Sequence, residues 1–134
     1  MNNAIVKPRD VQVAPIAVDT FVFRSRTWDR LKFEIEYGLQ KGTTANSYLI
    51  KGEKVALFDP PGESFSAIFL EALTKRIDPK TIDYIILGHV NPNRAVTLKA
   101  LLEIAPQVTF VCSNPGAISL KKILETEALN LLVV

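Results

Sequence analysis

The residues that could do chemistry lie in one short loop, residues 88–94. An apolar run ends there in Gly-His, a polar loop follows, and a helical pattern begins at Arg94. Alternate residues of such a loop, His89, Asn91 and Asn93, converge on one point at the carboxyl end of a buried strand, where open α/β folds place their sites. The layout is typical of a metal-ligand loop, and His89, the only histidine, is its best ligand candidate.

The other residue types in this loop are poor metal ligands. Asn91 and Asn93 offer only weak, neutral amide oxygens, and Arg94 has no acceptor atom and keeps its positive charge. A metal site needs carboxylates to offset the charge of the ion and neutral imidazoles to donate to it. The loop is therefore predicted to hold no metal ion, unless another chain or a further segment completes the site.

Two interpretations of the loop remain open. In the first, Asn91 and Asn93 form a turn before the helix, and His89 is a hydrogen-bonded core residue. In the second, Arg94 replaces the charge of a metal ion. Arg94 and His89, with the first amide groups of the helix, then form an anion site for chloride or a carboxylate. The second interpretation requires that the Arg94 side chain point into the pocket and not into solvent.

The composition excludes several classes of function. The 134 residues carry 16 basic and 14 acidic side chains, a net charge of +2, and the basic residues are dispersed, so we expect no nucleic acid partner. A single cysteine, Cys112, excludes an intrachain disulfide and a CxxC motif, and we interpret it as a buried strand residue. No apolar run approaches the roughly 20 residues that a membrane span needs, and no signal peptide pattern is visible. We expect a soluble, cytoplasmic protein.

Two kinds of pattern divide the chain. Residues 1–15 are predicted to be an N-terminal arm and residues 16–134 a partial domain. The first part of this domain alternates as strands do, which predicts an antiparallel meander over 16–24, 31–37, 43–50 and 55–58. The second part predicts a β-α-β-α-β-α order with parallel strands. Strand 55–58 is followed by helix 63–76, strand 82–87, helix 94–105, strand 108–112 and a third helix that Ser113 or Asn114 caps and that runs to about Leu124. A last apolar segment, 129–134, predicts a strand that pairs within the domain, pairs with another chain or continues into a longer protein.

Three segments resemble a known family: Asn46–Ile50, Val55–Pro61 and Ile85–His89. Their order and spacing are similar to the first half of the metallo-β-lactamase-like domain of flavodiiron proteins, and most similar to the class found in oxygenic phototrophs. The resemblance covers about residues 16–124. It implies an α/β fold, namely part of an αββα sandwich. Asp59, within the second segment, is either a carboxylate that faces the site or a residue of the turn that ends its strand, and we favour the turn.

The resemblance also implies a function for the parent protein. Flavodiiron proteins reduce oxygen to water, and some reduce nitric oxide, with a diiron centre in this domain and FMN in a following flavodoxin-like domain. In the phototroph class a flavin reductase domain follows. The family's ligand motif is His-x-Glu-x-Asp-His, and His89 matches its first position. Asn91, Asn93 and Arg94 stand where Glu, Asp and the second His would be. This chain alone is therefore predicted to be inactive and to hold neither iron nor FMN.

Three kinds of function follow, with different partners. In the family's head-to-tail dimer the FMN of one subunit approaches the iron site of the other, so a metal-free copy could be a structural subunit of a homo- or hetero-oligomer. Alternatively, the chain is a non-catalytic module that binds a partner through the edge of its sheet. A hydrolase of the wider superfamily is disfavoured, because such an enzyme needs the missing metal ligands.

Overall fold

The computed structural model describes residues 8–28 and 43–134. The helices are α1 (Ser66–Arg76), α2 (Ala95–Ile104) and α3 (Asn114–Leu124), and short 3-10 turns cover 63–65, 79–81 and 92–94. The strands are β1 (Asp10–Ala17), β2 (Thr20–Thr27), β3 (Thr43–Lys51), β4 (Val55–Phe58), β5 (Tyr84–Ile86), β6 (Thr109–Cys112) and β7 (Leu131–Val133).

Within the described residues, the seven strands form one sheet in the order of the sequence. The pairs from β1 to β4 are antiparallel, and the pairs from β4 to β7 are parallel. One helix lies in each parallel crossover. The predicted α/β class, with a meander followed by alternating helices and parallel strands, is confirmed. The strand predicted over 31–37 lies outside the described residues.

The core lies between the sheet and the helices. Each crossover advances by one strand in the same direction, so right-handed connections place all three helices on one face, with α2 packed against α1 and α3. On that face Leu49, Leu57, Ile85 and Phe110 lie opposite one another across four strands and are fully buried. The periodic apolar positions of the predicted helices supply the other side of this core, because Phe69, Leu98 and Leu120 are all buried.

The opposite face of the sheet carries a second apolar row. Tyr48, Phe58, Ile86, Val111 and Leu132 lie in register across five strands. Tyr48 is 37% exposed and Leu132 is 49% exposed. In an αββα sandwich this face is the one that the second sheet covers. Among the described residues, no helix combines the length and the apolar character that crossing a membrane requires.

The N-terminal prediction is wrong in part. Residues 10–15, assigned to the arm, belong to β1, and a turn at Val18-Asp19 separates β1 from β2 inside the single strand predicted over 16–24. The apolar alternation hid this turn, because Val18 is apolar yet 90% exposed. At the other end, β7 pairs with β6 within the chain. The first of the three options for this last segment is therefore confirmed.

Candidate functional site

A cavity of about 520 Å³ opens at the carboxyl ends of β4 and β5. Three segments line it: the start of β3, the stretch after β4 and the loop after β5. Its lining residues are Thr43, Thr44, Ala45, Asn46, Asp59, Pro61, Gly62, Ser64, Phe65, His89, Asn91, Pro92, Asn93 and Arg94. His89, Asn91, Asn93 and Arg94 were predicted to converge, and all four line this one cavity.

The first wall of the cavity is the β4 loop, which we define as residues 59–62. Asp59 adopts a left-handed conformation with φ of 48°, which turns the chain sharply at the end of β4. The hydroxyl of Ser47 on β3 donates to the Asp59 carbonyl at 2.7 Å, and Pro60 and Pro61 are buried. Because proline fixes its own φ angle, the two prolines limit the conformations of the loop.

The second wall is the β5 loop, residues 88–94. Asn91 is extended, Pro92 begins a 3-10 turn, and the Arg94 amide donates to the Asn91 carbonyl at 3.1 Å. Pro92 suits this position, because the first residue of a helical turn needs no amide hydrogen. The turn leads directly into α2, so its geometry sets where the Asn93 and Arg94 side chains lie.

Arg94 forms an ion pair with Asp59 inside the cavity. Its Nη1 atom lies 3.1 Å from Asp59 Oδ1, and the same oxygen accepts the Gly88 amide at 2.8 Å. The Arg94 side chain is 16% exposed and the Asp59 side chain is 37% exposed. Arg94 therefore points into the cavity, and its charge is met there by an opposite charge.

Asp59 was not placed in the convergent set, and of its two interpretations, turn chemistry and a carboxylate that faces the site, the structure supports both. Asp59 does end its strand in a turn, but its carboxylate is also the acidic group of the cavity. A signal was available in the sequence: Asp59 and Gly88 follow consecutive parallel strands, and the carboxyl ends of such strands meet at one edge of the sheet. Ser64 was likewise not proposed as a site residue, although it lines the cavity.

His89 and the two asparagines differ in their surroundings. His89 is exposed, so its interpretation as a core residue is wrong. The Asn93 amide lies against the backbone of Gly62, and a β-carbon at Gly62 would come within 2.1 Å of Asn93 Nδ2. The buried Oδ1 of Asn91 has no hydrogen-bond donor among the described residues. Asn91 and Asn93 thus belong to the turn before the helix, but neither side chain caps it.

The available donor atoms decide which ligands the cavity can take. Asp59 and His89 bring one carboxylate and one imidazole, and one oxygen of Asp59 already binds Arg94. Among the described residues, no group of three or more His, Cys, Asp and Glu side chains could hold a metal ion. A diiron centre needs several anionic and imidazole ligands, so the described donor set does not fit one.

Among the described residues, shifted pKa values are found outside the cavity, at Asp10, Arg26 and Cys112. The guanidinium of Arg26 donates to both oxygens of Asp10, at 2.8 and 2.6 Å, and these hydrogen bonds hold the pKa of Asp10 below its ordinary value. Arg26 also lies 5.1 Å from the centre of the Trp28 ring. Burial raises the pKa of the Cys112 thiol, so the thiol stays protonated at neutral pH, as expected for a buried strand residue.

Known proteins are similar to this chain in sequence and in fold. The protein named "Putative diflavin flavoprotein A 6" of Nostoc sp. PCC 7120 is 68% identical over 96% of this chain and 22% of its own length. The metal-soaked Flv1 flavodiiron core of Synechocystis sp. PCC6803 is 63% identical, with a TM-score of 0.88 over 96% of this chain and 32% of that chain. The rubredoxin oxygen:oxidoreductase of Desulfovibrio gigas is 28% identical, with a TM-score of 0.78 over 92% of this chain and 31% of that chain.

The resemblance to flavodiiron proteins is thereby confirmed, and the chain spans about a fifth of the length of the curated relatives it matches. The family described as "ODP family beta lactamase" matches residues 43–126, which is more than half of the chain. That range includes β3, both walls of the cavity and all three helices. The chain therefore belongs to the ODP family of β-lactamase-like domains.

Proposed function

We propose that this chain is the N-terminal part of the β-lactamase-like domain of a flavodiiron-type oxidoreductase that reduces oxygen to water. We further propose that this part holds no diiron centre of its own and is inactive alone. The observation that supports the metal-free assignment most directly is the position of Arg94, whose Nη1 atom lies 3.1 Å from Asp59 Oδ1 within the cavity. The loop residues that precede it are neutral amides, so nothing in the β5 loop offsets the charge of an iron ion.

The parent activity is supported by the relatives. The Nostoc relative is named a diflavin flavoprotein, the Synechocystis structure is a flavodiiron core, and the D. gigas structure is a rubredoxin oxygen:oxidoreductase. In the longer flavodiiron-type protein proposed here, a flavodoxin-like domain follows this one. It binds FMN, which transfers the electrons. The residues described here contribute the walls of a cavity and not the redox chemistry.

The metal-free assignment rests on charge and ligand chemistry. An arginine side chain carries a positive charge and has no lone pair to donate to a metal ion. An iron ion in the cavity would meet this positive charge at short range in a partly buried site, where water screens poorly. Asn91 and Asn93 would bind such an ion only weakly, since their amide oxygens carry no net charge.

A metal-free domain can still act in an assembly. We propose that it is a structural subunit of a homo- or hetero-oligomer in the cytoplasm, built on the family's head-to-tail dimer. In a hetero-oligomer, a partner with the complete His-x-Glu-x-Asp-His motif would supply the iron centre. The subunit described here would then contribute flavin domains and an interface.

The test uses the full-length protein, purified without added metal. Its iron and flavin contents are measured, and its oxygen consumption is followed with reduced pyridine nucleotide, alone and mixed with a relative that has the complete motif. We expect bound flavin, far less than one iron per chain, and activity only in the mixture. Two tightly bound irons per chain would contradict the metal-free assignment, and full activity without the partner would contradict the subunit role.

An anion site at His89 and Arg94 is a second proposal for the cavity. Arg94 points inward, which such a site requires, and its side chain is only 16% exposed. Asp59 works against the site, because it engages Nη1 and repels a second anion. Crystals soaked in bromide test the proposal through anomalous scattering: a bromide peak beside Arg94 supports the site, and bromide bound only at other surfaces contradicts it.

The non-catalytic alternative is favoured by the edge of the sheet. β7 is the last strand of the described sheet, and Leu132 and Val133 are 49% and 47% exposed. An exposed apolar edge strand offers unpaired backbone groups to another chain. In this alternative the protein binds a partner strand there and carries no electrons.

A further inference from the structure

The β4 and β5 loops touch each other at two points, and both contacts use residues of the degenerate motif. At the first, Asp59 Oδ1 receives the Gly88 amide at 2.8 Å and Arg94 Nη1 at 3.1 Å. At the second, the Asn93 amide lies against the backbone of Gly62. The side chains that stand at metal-ligand positions thus bind the neighbouring loop directly.

Asp59 is well placed to act as the centre of such a contact. Its left-handed backbone, with φ of 48°, is unusual for a residue with a side chain. The Ser47 hydroxyl holds its carbonyl at 2.7 Å, while its carboxylate accepts hydrogen bonds from both ends of the β5 loop. One side chain therefore connects β3, the β4 loop and the β5 loop.

We propose that Arg94 and Asp59 form a clasp that fixes the β5 loop against the β4 loop without a metal ion. The two residues are positioning residues of the candidate site, because they keep the walls of the cavity together. The inference rests on the proposed function in one respect: no metal ion binds in the cavity to hold the loops. The Arg94 guanidinium, paired with the Asp59 carboxylate, holds the two loops together where a metal ion with several ligands otherwise would.

Burial separates this pair from an ordinary surface ion pair. The side chains of Lys75 and Glu71 on α1 are 72% and 67% exposed, and such pairs contribute little because water screens them and both chains lose rotamer freedom. Arg94 is 16% exposed and shares its acceptor oxygen with a backbone amide. Without Arg94, the Asp59 side chain loses the ion pair that holds it inside the partly buried site and is free to turn toward water, away from the Gly88 amide.

The Gly88 amide provides a local probe of the clasp. In the full-length protein, hydrogen exchange of this amide is measured by mass spectrometry with fragmentation. The proteins compared are the unsubstituted protein (the parent of the variants) and R94Q, D59N and D59N/R94Q. A hydrogen bond to a charged group is worth about 1.5–3 kcal/mol, so each single substitution should speed exchange about tenfold or more. The double variant should exchange no faster than the singles, since either change alone opens the clasp.

The exposed pair on α1 is the matched control. E71Q, K75Q and the double variant remove an ion pair of the same charge types, and all three should leave Gly88 exchange at the parental rate. Unchanged exchange in R94Q, or effects of R94Q and D59N that multiply in the double variant, would overturn the clasp.

A further comparison applies if D59N does not fold. R94K keeps the positive charge but loses the planar guanidinium, and we expect its Gly88 exchange to lie between those of the parent and R94Q. Equal acceleration in R94K and R94Q at unchanged global stability would overturn the role of charge. Iron content tests the proposed function and Gly88 exchange tests the clasp, so either can fail while the other stands.

Discussion

The side-chain amide of Asn93 lies directly over the α-carbon of Gly62. A β-carbon at Gly62 would come within 2.1 Å of Asn93 Nδ2 and 2.9 Å of Asn93 Cγ. The carbonyl of Gly62 also accepts the Thr97 hydroxyl at 3.3 Å. Gly62 is therefore required for close contact between the two loops, and not for a glycine-specific backbone conformation, since its φ of −71° suits any residue.

We predict that G62A displaces Asn93 and loosens the cavity. An added methyl group in a tight contact costs typically about 1–3 kcal/mol when neighbours must shift. The measurement is urea unfolding, with a crystal structure to locate the Asn93 side chain.

Gly52 provides the control for that substitution. A β-carbon there would meet only the Lys54 carbonyl, at 3.5 Å. G52A should leave the free energy of unfolding unchanged or raise it slightly, because alanine reduces the entropy of the unfolded chain. Equal effects of G62A and G52A would show that the Asn93 contact contributes nothing specific.

The sequence predicts the sheet well because hydrophobic periodicity reports burial. The helical spacing around Phe69 and the alternation in β3 both arise from one buried face, and the order of the elements then implies the meander and the parallel crossovers. The cap of α3 was predicted to be Ser113 or Asn114, and it is Ser113, whose hydroxyl accepts the Gly116 amide at 3.1 Å. Each of these features depends on residues close together in the chain.

The missed features depend on contacts between distant residues or on backbone conformation. The Arg94–Asp59 pair joins residues 35 positions apart, so no local pattern contains it. The positive φ angle of Asp19 belongs to a turn whose flanking residues alternate like a strand, and the turn at Asp59 was predicted without its left-handed backbone conformation. Only the topology, with β4 beside β5, brings Asp59 to the loop that the sequence identifies as the candidate site.

The Asp10–Arg26 pair gives a pH dependence of known sign. The hydrogen bonds from Arg26 lower the pKa of Asp10 in the folded protein, so the pair stabilises the fold above the ordinary value of 3.8. This contribution is lost as pH falls through the lowered pKa. Because the Asp10 side chain is 43% exposed, water screens the pair and we expect its contribution to be small.

The measurement compares urea unfolding of the parent and D10N between about pH 6 and pH 2.5. The difference in the free energy of unfolding should be present near neutral pH and should shrink only below 3.8. R26Q removes the cation and keeps the carboxylate. In an R26Q background, D10N should therefore no longer change the free energy of unfolding. A difference that instead grows as pH falls would contradict the assigned sign.

The degenerate loop should regain metal affinity when its ligand types are restored. N91E/N93D/R94H replaces two neutral amides by carboxylates and removes the buried positive charge, leaving His89 in place. We predict that the full-length triple variant binds cobalt(II), seen as visible absorption bands and by equilibrium dialysis, whereas the parent does not. The effect follows from charge compensation and from imidazole donation.

N91Q/R94H is the control for the restored loop. It supplies the second imidazole but no new carboxylate, and it should bind cobalt(II) much more weakly than the triple variant. Comparable binding by the parent, the control and the triple variant would mean that the asparagines and Arg94 do not determine metal occupancy.

The outer edge of β7 can be blocked without disturbing its inner edge. The Asn130 carbonyl and the Val134 amide both pair with β6, at 2.9 and 3.0 Å. Because hydrogen-bonding direction alternates along a strand, the amide of Val133 faces away from β6. Proline at this position therefore removes an outward donor and keeps the inner ladder.

If a partner strand adds to this edge, V133P should abolish that association with little loss of stability, as measured by analytical ultracentrifugation and urea unfolding. L132P is the control, because it removes an inward donor and should destabilise the pairing with β6. An oligomeric state unchanged by V133P would exclude strand addition at β7 and leave the head-to-tail arrangement as the mode of assembly.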